Sequence, residues 1–83
     1  MSEVCMPYLR AIEILIKDAF PDSKVDVWAE NSVFDRGVAI KARVDNDGAY
    51  TTIFPGSRCT EAHISAILIA SLKEIKADVR GEE

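Results

Sequence analysis

The residues that could begin chemistry are few: one histidine, His63, two cysteines, Cys5 and Cys59, and the acidic turn Asp45-Asn46-Asp47-Gly48. Nucleophilic catalysis needs a nucleophile, a base and a group that orients the base, all in contact. His63 is expected early in a helix among apolar and small neighbours, which suits a surface or edge residue better than a base. Cys59 falls at the start of the same helix, where a thiolate is favoured, but a small buried side chain is the reading adopted. Cys5 and Cys59 show no CxxC spacing, and free thiols are expected rather than a bridge. With a single histidine they cannot supply the four ligands of a zinc site. Asp45-Asn46-Asp47-Gly48 lacks the further acidic ligands of a calcium loop and is explained by turn chemistry. Gly56-Ser57-Arg58 could hold an anion at a helix start, but no Gly-rich phosphate loop is present. The expectation is a non-enzymatic protein with no metal and no cofactor.

A length of 83 residues allows one domain, taken as 1–83 with a frayed tail at 80–83. Hydrophobic content of 48% with 29% charge places the chain among folded globular proteins rather than disordered ones. No apolar run approaches the length that spans a bilayer, and no basic-then-apolar leader opens the chain, so no membrane association is expected and a cytoplasmic setting is. The net charge of −4 argues against direct nucleic-acid binding, which draws on a surplus of Lys and Arg.

The elements that must position any site follow from periodicity. Leu9, Ile12, Ile16 and Phe20 recur at helical spacing and predict a helix over 4–20, with Pro7 in its first turn and Pro21 as its stop; Ile14 is the one large apolar residue off the stripe. The period then changes to two. Val25, Val27 and Ala29 share one face of a strand at 24–30, against Lys24, Asp26, Trp28 and Glu30 on the other. A second strand at 36–44 turns Val38, Ile40, Ala42 and Val44 inward and Ala39, Lys41 and Arg43 outward. Asp45-Asn46-Asp47-Gly48 then makes a hairpin into a third strand at 49–54. Its register is open: a two- or four-residue loop turns Ile53 inward and Tyr50 outward, whereas a three-residue loop with Gly48 left-handed buries Tyr50 and Phe54. The larger apolar transfer of two aromatics favours the latter.

Ser57 is the expected N-cap of a second helix ending near Lys76 or Asp78. Ile64, Ile67, Leu68, Leu72, Ile75 and Val79 form its core stripe. Its reverse side is lined by Ala62, Ala66, Ala70 and Ala77 with Ile69 beside them, where charges would be usual. The fold class expected is α+β, a two-layer α-β-β-β-α sandwich: a three-stranded antiparallel meander with both helices packed on one face.

That element order resembles the double-stranded-RNA-binding domains, which implies grip on an RNA backbone by the loops and the start of the second helix. The corresponding segment here reads Ser57-Arg58-Cys59-Thr60-Glu61-Ala62-His63, and the loop after the first strand reads Glu30-Asn31-Ser32-Val33-Phe34-Asp35.

Two surfaces are candidates for binding. On the outer face of the sheet, Trp28 stands among charges with Lys41 and Arg43 on the next strand, an arrangement that could anchor a protein or stack a base. Asp22, Asp26, Glu30 and Asp35 gather along the same strand and its flanking loops and could meet a basic groove. On the second helix, Ala62, Ala66, Ile69, Ala70 and Lys73 could form a C2 homodimer contact. The expected function is a small acidic binding protein acting by protein–protein contact, an inhibitor of a basic nucleic-acid-handling complex. In size and charge it is similar to virus- or mobile-element-encoded anti-CRISPR proteins. The alternative is a nucleic-acid-binding module that uses the Trp28/Lys41/Arg43 face.

Overall fold

The first helix, α1, spans Leu9–Ala19, and its one-sided pattern withdraws Ile12 and Ile16 completely from solvent while Ile14 stays exposed. The computed structural model describes residues 7–32, 36–54 and 60–79. Cys5, Asp35, Gly56, Ser57, Arg58, Cys59 and the tail from Arg80 lie outside the described residues. Helix α1 begins later than its periodicity implies. Tyr8 is its N-cap, extended at φ −80° and ψ 105°, so Pro7 lies before the helix and not in its first turn. The Tyr8 N–H is donated to Glu61 Oε2 at 2.7 Å, a partner 53 positions along the chain. At the other end Pro21 acts as expected. The residue before a proline is driven out of the α region, and Phe20 sits at φ −130°, ψ 68°, sharing its N–H between the Ile16 and Lys17 carbonyls.

Three strands follow, β1 (Val25–Asn31), β2 (Val38–Val44) and β3 (Asp47–Ile53), in the order β1-β2-β3 with both pairs antiparallel. The inner face carries Val25, Val27, Ala29, Val38, Ile40, Ala42 and Val44, as the alternation predicts. The β1–β2 connection closes with the Ser32 N–H on the Gly37 carbonyl at 2.9 Å. Gly37 is placed there by necessity: a Cβ on it would collide with the Ile53 carbonyl oxygen and lie 2.9 Å from Thr52 Cγ2.

The third strand corrects the favoured register. Val44 pairs with Asp47, so the loop is only Asp45-Asn46, and Gly48 lies inside the strand opposite Arg43. Asp45 rather than Gly48 adopts the left-handed conformation, at φ 57°. Ile53 is therefore buried, while Tyr50 and Phe54 are 66% and 45% exposed. Comparing apolar areas misjudged this strand for two reasons. A buried tyrosine must find a partner for its hydroxyl. The short turn is also tied down by polar bonds that a hydrophobic count ignores. Asp45 Oδ1 accepts the Lys24 N–H at 3.2 Å, and Lys76 Nζ lies 3.4 Å from Asp45 Oδ2 and 3.2 Å from Asp47 Oδ2.

Helix α2 spans Glu61–Val79. Its N-cap is Thr60 rather than Ser57: the Thr60 hydroxyl accepts the His63 N–H at 3.2 Å and its carbonyl accepts the Ile64 N–H at 3.0 Å. Ile64, Leu68 and Leu72 are fully buried, and Ser65 beside them returns its hydroxyl to the Ala62 carbonyl at 3.1 Å. Ile67, expected in the core stripe, is 37% exposed. The arrangement is an open α+β sandwich. Ile12 and Ile16 of α1, Ile64, Leu68 and Leu72 of α2 and the inner residues of all three strands form one core.

The two helices run parallel. Glu61 at the start of α2 bonds Tyr8 at the start of α1, and Lys76 near the end of α2 lies 6.0 Å from the Phe20 ring at the end of α1. Parallel neighbours set like dipole ends side by side. The Glu61 carboxylate sits at both positive ends and the Lys76 ammonium at both negative ends, which offsets the repulsion. The Tyr8 N–H and Glu61's own N–H hold the Glu61 carboxyl below its usual range.

Candidate partner-binding face

The outer face of the sheet is built by the alternation that fills the core. Residues between the inner valines and alanines must point away from the helices, and cross-strand pairing brings them into rows. Trp28 lies opposite Lys41, and Lys41 opposite Tyr50, so one row crosses all three strands as aromatic, cation, aromatic. The next rows pair Asp26 with Arg43 and Glu30 with Ala39.

Polar contacts fasten this face. The Trp28 indole N–H donates to Glu30 Oε2 at 2.8 Å, two residues along the same side of β1. Glu30 Oε1 accepts from Lys41 Nζ, also at 2.8 Å. One carboxylate thus fixes both a ring and a cation. These two bonds, Lys41 first, lower the Glu30 pKa. Arg43 Nη2 stands 3.7 Å from Asp26 Oδ2, a looser pair. Tyr50 completes the row with most of its ring in solvent. Trp28, Lys41, Gly48 and Tyr50 enclose a shallow depression of about 180 Å³.

The structure brings Asp26, Trp28, Glu30, Lys41 and Arg43 together on one face. Asp22 is exposed in the turn before β1, off this face, and Asp35 lies outside the described residues. Acids and bases alternate across the strands, so the face is charge-balanced and not an acidic patch. Sequence reasoning left Tyr50 out of the site because it favoured the other register; the short Asp-Asn turn was the signal that could have recovered it. Lys76 was also overlooked, because its two acids belong to the β2–β3 turn, which is remote in sequence.

A second depression, of about 510 Å³, runs along the outside of α1 and the β1 edge, lined by Arg10, Glu13, Ile14, Lys17, Lys24 and Val25. Three of these are cationic and one acidic, against a chain charge of −4. Lys17 Nζ is already given to the Ser23 carbonyl at 2.6 Å. On α2, Ala62, Ala66, Ala70 and Lys73 are exposed, and Ile69 is partly buried against the core. His63 is exposed, and both acids of the Asp45–Asp47 turn are held by Lys76. Among the described residues no three His, Cys, Asp or Glu side chains gather as a metal site, and no helix is long and apolar enough to cross a membrane. No family model matches the chain, nor does any curated protein or solved structure.

Proposed function

We propose that the protein is a binding module whose outer sheet face, centred on Trp28, Lys41 and Tyr50, docks on another protein. The observation that carries this reading is the aromatic–cation–aromatic row on a sheet face that no other element covers among the described residues. Tyr and Trp side chains dominate protein contacts because their rigid rings bury large areas at low entropic cost. The charges around the row are already paired, so the face offers apolar area without a strong field of either sign. Glu30 and Asp26 stand beside Lys41 and Arg43, so the face lacks the surplus of positive charge on which nucleic-acid affinity draws.

In its specific form the proposal is an inhibitor of the anti-CRISPR kind, acting in the cytoplasm on a nucleic-acid-handling complex. Asp26 and Glu30 would exchange their intrachain cations for basic groups of the partner. Exposed ion pairs contribute little to stability, so such an exchange costs little. A second reading rests on the depression lined by Arg10, Lys17 and Lys24, whose surplus of cations suits an anionic strand.

Affinity capture on a nucleic-acid-handling complex, run beside oligonucleotide titrations, separates the two. The protein-contact reading expects capture that Trp28→Ala or Tyr50→Ala reduces at least tenfold, with no oligonucleotide binding. Oligonucleotide binding that weakens with salt and is lost in Arg10→Ala with Lys24→Ala refutes it in favour of the second.

A further inference from the structure

The free edge of β3 has properties that the docking face does not explain. The Asp45 N–H donates to the Lys24 carbonyl at 2.9 Å, which fixes the phase of the β1–β2 ladder. In an antiparallel sheet successive residues point their N–H and C=O to opposite sides. Asp45, Arg43, Lys41 and Ala39 therefore bond toward β1, and Val44, Ala42, Ile40 and Val38 toward β3. Their partners Asp47, Ala49, Thr51 and Ile53 are thereby used. Gly48, Tyr50 and Thr52 direct their backbone groups away from the sheet, where no further strand lies among the described residues.

Edge strands are ordinarily guarded by lysine, proline, a bulge or a cover. From Gly48 to Phe54 the sequence Gly-Ala-Tyr-Thr-Thr-Ile-Phe holds no charge and no proline, and its pairing with β2 runs without a bulge. The opposite edge differs: β1 carries Asp26 and Glu30. Exposed apolar side chains gather on the same flank. Tyr50 and Phe54 belong to β3 and its end. Ile67 is nine residues from Lys76, two and a half helical turns, so it lies on the side of α2 turned away from α1.

We infer that β3 pairs antiparallel with β3 of a second copy, joining two sheets into one of six strands. The strand is self-complementary about Thr51. A two-fold axis there sets Tyr50 against Thr52 of the other copy and Gly48 against Phe54 on the outer face, and Ala49 against Ile53 on the inner. Both Tyr50–Thr52 contacts are aromatic–β-branched pairs, and an aromatic across from a glycine covers the bare backbone. The outward backbone groups of Tyr50 and Thr52 meet as hydrogen-bonded partners in this register. The occupant is a second copy because a two-fold contact places each strand against itself. In a chain of net charge −4, a neutral edge is what two copies can bring together without repulsion. This inference does not rest on the docking proposal, although Tyr50 belongs to both surfaces; Thr52→Lys is the variant that touches the edge alone.

The test is light scattering over a dilution series of the whole chain, combined with residue-resolved amide exchange. The expected result is a dimer in which the Tyr50 and Thr52 amides are protected. Thr52→Lys gives a monomer whose Tyr50 amide exchanges fast, while the Ala49, Thr51 and Ile53 amides stay protected and report an intact fold. Tyr50→Glu, whose new carboxylate faces Lys41 within the same chain, is the second edge variant and gives the same monomer. Ala66→Glu on α2 leaves the dimer unchanged. A monomer at every concentration overturns the inference, as does a dimer that survives both edge variants or that only Ala66→Glu dissociates.

Discussion

Replacing Gly37 by alanine tests a close backbone approach between β3 and the start of β2. In general Gly→Ala removes freedom from the unfolded chain and stabilises by about 0.4–1 kcal/mol. At Gly37 the added Cβ meets the Ile53 carbonyl oxygen and the Ile53 carbonyl carbon at 3.2 Å, both backbone atoms that no rotamer change can move. The end of the β2–β3 pairing at Val38 and Ile53 must then open. Losing a ladder hydrogen bond costs about 0.5–1.5 kcal/mol. Ile53 is 7% accessible, and exposing much of it costs about 1.5–3 kcal/mol at most. The clash outweighs the entropic gain, leaving a net loss of about 1–4 kcal/mol. In a domain of this size that lowers Tm by roughly 5–30 °C. Gly48→Ala is the internal control. Its Cβ meets only the Ala42 carbonyl oxygen at 3.8 Å, an ordinary contact. That variant is expected to be neutral or stabilised by at most about 1 kcal/mol. Thermal melts followed by circular dichroism, with urea midpoints at constant m, measure both. A Gly37→Ala protein that melts at or above the wild type refutes the reasoning.

Four further predictions concern the site, the acidic groups and the helices. Trp28 is the only tryptophan, so its emission reports the surroundings of one indole, which donates its N–H to Glu30. The Glu30 pKa is lowered from 4.5 by bonds from Lys41 and Trp28, so emission is expected to titrate with a midpoint below 4.5 and Glu30→Gln to abolish the transition. A group with a depressed folded pKa stabilises above its unfolded value and loses that contribution as pH falls through the folded one. Glu30, Asp45 and Glu61 all shift this way. Stability is therefore expected to fall as the pH drops below about 4.5; a Tm that rises on acidification contradicts this. In the helices, Leu68 is fully buried, and Leu68→Ala should cost about 2–5 kcal/mol. Ile14 is 60% exposed. Ile14→Ala should therefore stay within about 0.5 kcal/mol of the wild type in the same urea titrations.

The inner residues of the sandwich were legible because each is dictated by a local period. Ile12 and Ile16 follow the helical repeat, and Val25 and Val27 follow strand alternation, with no knowledge of the rest of the chain. The boundaries of α1 and α2 were less so, since Tyr8 is held outside α1 by Glu61, a residue fifty-three positions away. The register of β3 failed for the same kind of reason. The loop is fixed by Lys76 acting on Asp45 and Asp47 across the fold, while the sequence presented only a choice between burying Ile53 and burying two aromatics. Trp28, Lys41 and Arg43 came together as expected because they depend on β1 and β2 alone, and Tyr50 was lost with the register of its strand.

The parallel pairing of α1 with α2 also bears on the order in which the molecule can assemble. Among the described elements the first and the last are each other's neighbours, so the sheet must be shaped while half of its helical cover has yet to be synthesised. Ile40, Ala42, Ile53 and the inner side of β3 stay open to water until Leu68 and Leu72 emerge from the ribosome. Closing the Tyr8–Glu61 link ties off nearly the whole intervening chain in one loop, an entropic cost that only the completed core can offset. Folding is therefore expected to be deferred and then abrupt: a nascent chain stalled before α2 holds a meander with an unsheltered apolar face, and release of one further helix converts it to the native domain.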